Sequence, residues 1–163
     1  MPLLTETATR LLGLLFDQEY GLLPYAPVYV LAPAGAFALA KTNRALSLAL
    51  TLVVVSYVAL IVCPLTNVHG WTGGWSPAAR FLTPIAPLLG LWAFAGLRAT
   101  PRFVSVAIVA IQIVISAYVW QHPKVLWNDG DGRAAVCTAL PAAACAWLPS
   151  FTGSTNFNSE SNP

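Results

Sequence analysis

The sequence predicts an all-α, polytopic membrane protein with about four transmembrane helices, an N-terminal interfacial helix and a short external C-terminal tail. Of its 163 residues, 57% are hydrophobic and 9% are charged, with a mean hydropathy of +0.68. A soluble domain carries about a quarter charged residues, so 8 Lys+Arg and 6 Asp+Glu are too few to cover a watery surface. The charges are also grouped, leaving long runs that carry none. Disorder is excluded by the same composition. Nucleic-acid binding is excluded by a net charge of +2 on scattered basic residues, with no basic patch.

The first 21 residues hold Glu6, Arg10, Asp17 and Glu19 and lack the pattern of a secretory signal. Residues 9–16 (TRLLGLLF) read as an amphipathic helix at the membrane surface. Asp17 and Glu19 form an acidic pair that closes this helix ahead of Tyr20 and Gly21.

Four charge-poor runs follow: 20–40, 45–79, 81–97 and 103–123. About 20 apolar residues cross the hydrocarbon layer, so spans are expected near 22–40, 45–66, 80–98 and 103–121. They are apolar on every side, unlike the alternating strands of a barrel. Pro24, Pro27, Pro84 and Pro87 suit helix starts, and Pro33 is expected to kink the first span.

Lys41 and Arg44 mark one short connection; Arg98 and Arg102 mark another, two crossings later. The positive-inside rule makes both cytoplasmic and leaves the two termini and the 67–80 loop outside. All six acidic residues then fall outside, and Trp71, Trp75, Trp120 and Trp127 cluster at the outer ends. The expected location is the cytoplasmic (inner) membrane, with bilayer lipid as the first partner. The chain divides into an interfacial segment (1–21), a transmembrane region (22–121) and an external tail (122–163), polar after 152.

Candidate chemistry concentrates in residues 69–84 (HGWTGGWSPAARFLTP). His69 alone in this loop titrates near neutrality, but no carboxylate stands beside it. Trp71 and Trp75 suit stacking on a sugar or anchoring in headgroups, and Arg80 suits a phosphate or a lipid headgroup. His122 and His69 are isolated, so no metal site is expected. Residues 128–133 (NDGDGR) lack the distal glutamate of a calcium loop and read as a polar turn. Cys63 reads as a small apolar residue within a span. Cys137 and Cys145 would lie about 12 Å apart on a continuous helix, too far for a disulfide, unless Pro141 bends the segment. Gln112, the main polar side chain within a central span, is expected to make an interhelical hydrogen bond. The absence of intramembrane charges argues against an ion pathway.

Three separated blocks carry a resemblance. Residues 12–29 (LGLLFDQEYGLLPYAPVY), 73–84 (GGWSPAARFLTP) and 126–133 with 148–151 (LWNDGDGR, LPSF) resemble segments of bacterial multi-span glycosyltransferase-like proteins, with Ala79 where proline is common. The blocks extend over most of residues 12–151 and resemble the GT-C class of membrane glycosyltransferases, including the dolichyl-phosphate-mannose type. The resemblance implies transfer of a sugar from a polyprenyl-phosphate carrier at the outer membrane face, without a cofactor. It raises Arg80, Trp75 and Tyr25, with His69, as candidates for the surface that faces carrier or acceptor. The class keeps its essential acidic residue in a first external loop that this sequence does not match, so no catalytic base is assigned to Asp17, Glu19, Asp129 or Asp131. On this reading the chain is the C-terminal part of such an enzyme, inactive alone and completed by a separately encoded N-terminal half. The alternative is a non-enzymatic four-span scaffold or assembly subunit.

Overall fold

The computed structural model describes residues 2–63, 76–128, 134 and 148–151. Helix α1 (Pro2–Phe16) leads through a turn into the short α2 (Leu22–Tyr25) and a 3-10 segment (Pro27–Leu31) that runs into α3 (Ala32–Thr42). A tight turn then starts α4 (Arg44–Val62). Strand β1 (Ser76–Pro77) precedes a 3-10 segment (Arg80–Ile85) that continues as α5 (Ala86–Ala99), and α6 (Arg102–Gln121) follows after a second tight turn. A last 3-10 turn (Pro123–Leu126) ends in β2 (Trp127–Asn128), which pairs antiparallel with β1, Ser76 opposite Asn128 and Pro77 opposite Trp127.

Three helices are long and apolar enough to cross a membrane: Arg44–Val62, Arg80–Ala99 and Arg102–Gln121. They match the second, third and fourth expected spans to within a few residues, although 64–66 lie outside the described residues. Their outward side chains are apolar. Leu48, Leu52 and Leu60 on α4 and Val106, Ile113 and Val114 on α6 are each more than half exposed. On a soluble protein such contiguous patches mark interaction or aggregation surfaces; in a bilayer they face lipid.

The first expected span, 22–40, is not one helix. Proline at position 27 disfavours helical backbone in the residue before it, and Ala26 adopts φ −139°, ψ 67°, ending α2. Pro33 lies in the first turn of α3, where it costs no hydrogen bond, so it does not act as an interior kink. Five residues of 3-10 helix and eleven of α-helix remain, about 26 Å of rise against about 30 Å of hydrocarbon. The backbone groups opened at the break are met by Gln112 of α6. Its Oε1 accepts the Val28 amide at 3.3 Å, and its Nε2 donates to the Tyr25 carbonyl at 3.5 Å. The expected interhelical bond of Gln112 therefore joins α6 to the irregular backbone between α2 and α3.

Helix α3 packs most extensively on α5. Tyr29, just before α3, donates its hydroxyl to the carbonyl of Ala86 at the start of α5 (3.3 Å), and Gly35 meets Trp92–Gly96 further along. The two helices therefore run in the same direction, bringing the Lys41/Arg44 and Arg98/Arg102 turns to one end of the bundle. Glycine makes the approach possible. A Cβ on Gly35 would stand 1.6 Å from the Trp92 carbonyl oxygen, and one on Gly96 would stand 2.2 Å from that of Leu31. Small residues at such contacts are how membrane helices gain dispersion contacts without a hydrophobic driving force. Ser47 on α4 donates to the Ala36 carbonyl on α3 (3.2 Å), and Ser105 on α6 to the Leu97 carbonyl on α5 (3.0 Å).

Gly35→Ala should lower stability by about 1–3 kcal/mol, the usual cost of overpacking, in denaturant titrations of the detergent-solubilised chain. Gly90→Ala, which meets nothing within 4 Å, should leave it unchanged or raise it by up to about 1 kcal/mol through helix propensity. Gln112→Leu should cost about 0.6–2 kcal/mol in the same titration, the range for polar contacts between membrane helices.

Candidate functional site

At the end of the bundle opposite the four basic residues, the chain makes a turn over residues 17–21 on which the local architecture is built. Asp17 follows α1 directly, its amide still bonded to the Gly13 carbonyl (2.9 Å). Its side chain is fully buried. Oδ1 accepts the amides of Glu19 (2.8 Å) and Tyr20 (3.0 Å), and Oδ2 accepts the amide of Phe151 at 2.7 Å, from the far end of the chain. Carboxylates of this kind stop a helix by offering the backbone a local alternative to the helical bond. Glu19 is also fully buried. The signal that was present was an Asp placed to accept from the amides two and three residues on. What covers it depends on residues more than a hundred positions away.

The turn gathers three further segments. Gln18 donates its amide to the Pro149 carbonyl (3.0 Å), tying residues 148–151 alongside. Tyr25 donates its hydroxyl to the Gln18 carbonyl (3.0 Å), and Ala79 donates its amide to the Tyr20 carbonyl (3.0 Å). Ala79 sits at φ 54°, the one positive-φ non-glycine among the described residues. Proline cannot reach that angle because its ring holds φ near −65°. The left-handed residue turns the chain so that Arg80 opens the 3-10 segment leading into α5.

Arg80 begins the third span, as expected, and is exposed, its guanidinium 5.1 Å from the centroid of the Phe81 ring. Two residues on, Leu82 is buried and enters the wall of an apolar groove of about 650 Å³. Leu11, Leu14 and Leu15 of α1 form another wall, and Val54, Val58 and Val62 of α4 a third. Tyr29, Ile85, Leu89 and Trp92 also line it, with Ala32, Pro33 and Ala36 of α3. Trp92 is buried, and its indole Nε1 has no hydrogen-bond partner among the described residues. A buried donor left unmatched costs on the order of 1–3 kcal/mol.

Of the candidates from the sequence, Arg80 and Tyr25 are tethered to the same turn, Arg80 through its neighbour Ala79 and Tyr25 through its hydroxyl. Trp75 and His69 lie outside the described residues, as do Trp71, Asp129, Asp131, Cys137 and Cys145. Trp120 and Trp127 are exposed. His122 is exposed beyond α6, stacked on Tyr118 with ring centroids 4.6 Å apart. Cys63 is half-buried and caps the end of α4. Among the described residues no three His, Cys, Asp or Glu side chains come together to hold a metal. The one ion pair among them, Arg10 with Glu6 at 2.7 Å, lies on α1 and leaves Arg80 without a carboxylate partner.

The chain matches no protein-family model, no curated protein and no solved structure.

Ala79→Gly should stabilise the protein by about 1 kcal/mol by relieving the left-handed strain, and Ala79→Pro should destabilise it by more. Tyr25→Phe should cost about 0.5–1.5 kcal/mol, the worth of one hydrogen bond. Denaturant titration of each variant checks both.

Proposed function

We propose that this chain is the membrane-embedded part of a glycosyltransferase of the GT-C type, which takes its sugar from a polyprenyl-phosphate carrier. The observation that carries the reading is an exposed cation two residues before Leu82, which lines an apolar groove. Arg80 has no carboxylate partner among the described residues, and the next helical residues, Leu82 and Ile85, line about 650 Å³ of hydrocarbon-like space. A carrier lipid has the matching chemistry, a phosphate on a long apolar chain. Guanidinium suits phosphate because its planar donors pair with two oxygens at once.

On this proposal Arg80 positions the carrier phosphate, and Tyr25 helps to shape the site through its bond to the 17–21 turn. The Lys41, Arg44, Arg98 and Arg102 end faces the cytoplasm, which puts Arg80 at the outer face of the inner membrane. The acid–base residue of the transfer step lies outside these residues, and no catalytic role is given to Asp17 or Glu19.

The test is binding of polyprenyl phosphate to the purified chain in nanodiscs, with phosphatidylglycerol as the competing anionic lipid. Arg80→Ala should weaken carrier binding about tenfold or more, the loss of one charge-assisted hydrogen bond of at least about 1.4 kcal/mol. Val58→Trp, which fills the groove, should weaken binding with Arg80 intact. Equal affinity for the two lipids, or no effect of either substitution, would sink the carrier reading and favour the scaffold.

A further inference from the structure

We propose that residues 148–151 are a strap that, through Asp17, holds α1 in place as a wall of the apolar groove, so that docking of this segment controls how open the groove is. The inference rests on the geometry of the groove and not on what occupies it.

Two bonds hold the strap to the turn. The Phe151 amide donates to Asp17 Oδ2 at 2.7 Å, and the Pro149 carbonyl accepts the Gln18 amide at 3.0 Å. The Phe151 side chain packs against the same apolar core as Leu14, Leu22 and Leu82. Asp17 is the mechanical centre of this arrangement. One oxygen satisfies the two amides that shape the turn, and the other is given to the strap, so the same buried carboxylate senses both.

The turn is in turn rigidly joined to α1. The Asp17 amide continues the α1 hydrogen-bond pattern, and the Gly21 amide returns to the Asp17 carbonyl at 2.8 Å. At Gly21 there is no room for a side chain, since a Cβ would stand 2.4 Å from that carbonyl oxygen. Immediately before the turn, Leu14 and Leu15 form groove wall, and Leu14 is among the most buried side chains described. Leu3 and Leu4 near the start of α1 are exposed, as are Leu11, Leu12 and Phe16 closer to the turn. The bonds at the turn thus hold the helix at its C-terminal end. Undocking the strap would strip a buried carboxylate oxygen of its donor, which is costly away from water. The turn relieves that cost by opening toward water, and α1 leaves the groove with it.

Hydrogen–deuterium exchange of the full chain in detergent, read by mass spectrometry, tests the coupling without any ligand. Asp17→Asn keeps one acceptor oxygen and sets an amide group where the other accepted. It should raise exchange about tenfold or more in peptides covering 13–21 and 148–151, with α4 to α6 unchanged. A chain ending at Trp147 should show the same rise over 13–21, and adding Asp17→Asn to it should add little, because both changes break one link. Glu6→Gln, at an exposed carboxylate of α1, should change neither region. Normal exchange over 13–21 in the shortened chain would overturn the proposal. So would a rise spread evenly over every helix, or full additivity of the two changes. If Asp17→Asn does not fold, the shortened chain alone decides between these outcomes. A shortened chain that exchanges as expected but fails to bind polyprenyl phosphate would overturn only the carrier reading.

Discussion

Backbone polar groups withdrawn from water must find partners inside the chain, and this requirement organises the molecule. In hydrocarbon an unmatched amide or carbonyl costs several kcal/mol, so every departure from regular helix needs a specific side chain to meet it. Two side chains bear most of that duty here. Gln112 meets the Val28 amide and the Tyr25 carbonyl where Pro27 interrupts the first apolar segment. Asp17 meets three amides where α1 ends. Each reaches backbone far away in sequence, so each also sets how helices stand relative to one another.

The interior between those two points is built from close approach. Gly35 and Gly96 let α3 lie against α5 at backbone contact. The groove borders this pair, with Ala32, Pro33 and Ala36 of α3 and Leu89 and Trp92 of α5 on one side and leucines of α1 and valines of α4 on the others. Arg80 stands two residues before the groove-lining Leu82, where Ala79, in a left-handed conformation and bonded to the Tyr20 carbonyl, turns the chain.

Much of this was legible from residue order. The spans at α4, α5 and α6 could be read from charge-free length, the position of Arg80 from the charge that ends one run, and the partner-seeking role of Gln112 from its polarity in an apolar helix. The break in the first expected span was not legible because hydropathy counts apolar residues and is blind to backbone geometry. Pro24 and Pro27 were visible, but whether they open a helix or break one depends on a partner for the freed groups, and that partner is 84 residues from Val28. The burial of Asp17 and Glu19 was hidden for a similar reason. The segments that meet this turn, Phe151 at Asp17 and Ala79 at Tyr20, come from distant parts of the chain.

The sequence by itself determined that the chain is helical, and where three helices long and apolar enough to cross a membrane lie, because these follow from one-dimensional quantities: apolar length, charge and proline position. Tertiary structure alone decided that α3 pairs with α5, that a groove opens beneath α1, and that Phe151 meets the end of α1 at Asp17. Those outcomes depend on which distant backbone groups satisfy one another, and on how close two helices can come when glycine removes the side chain between them.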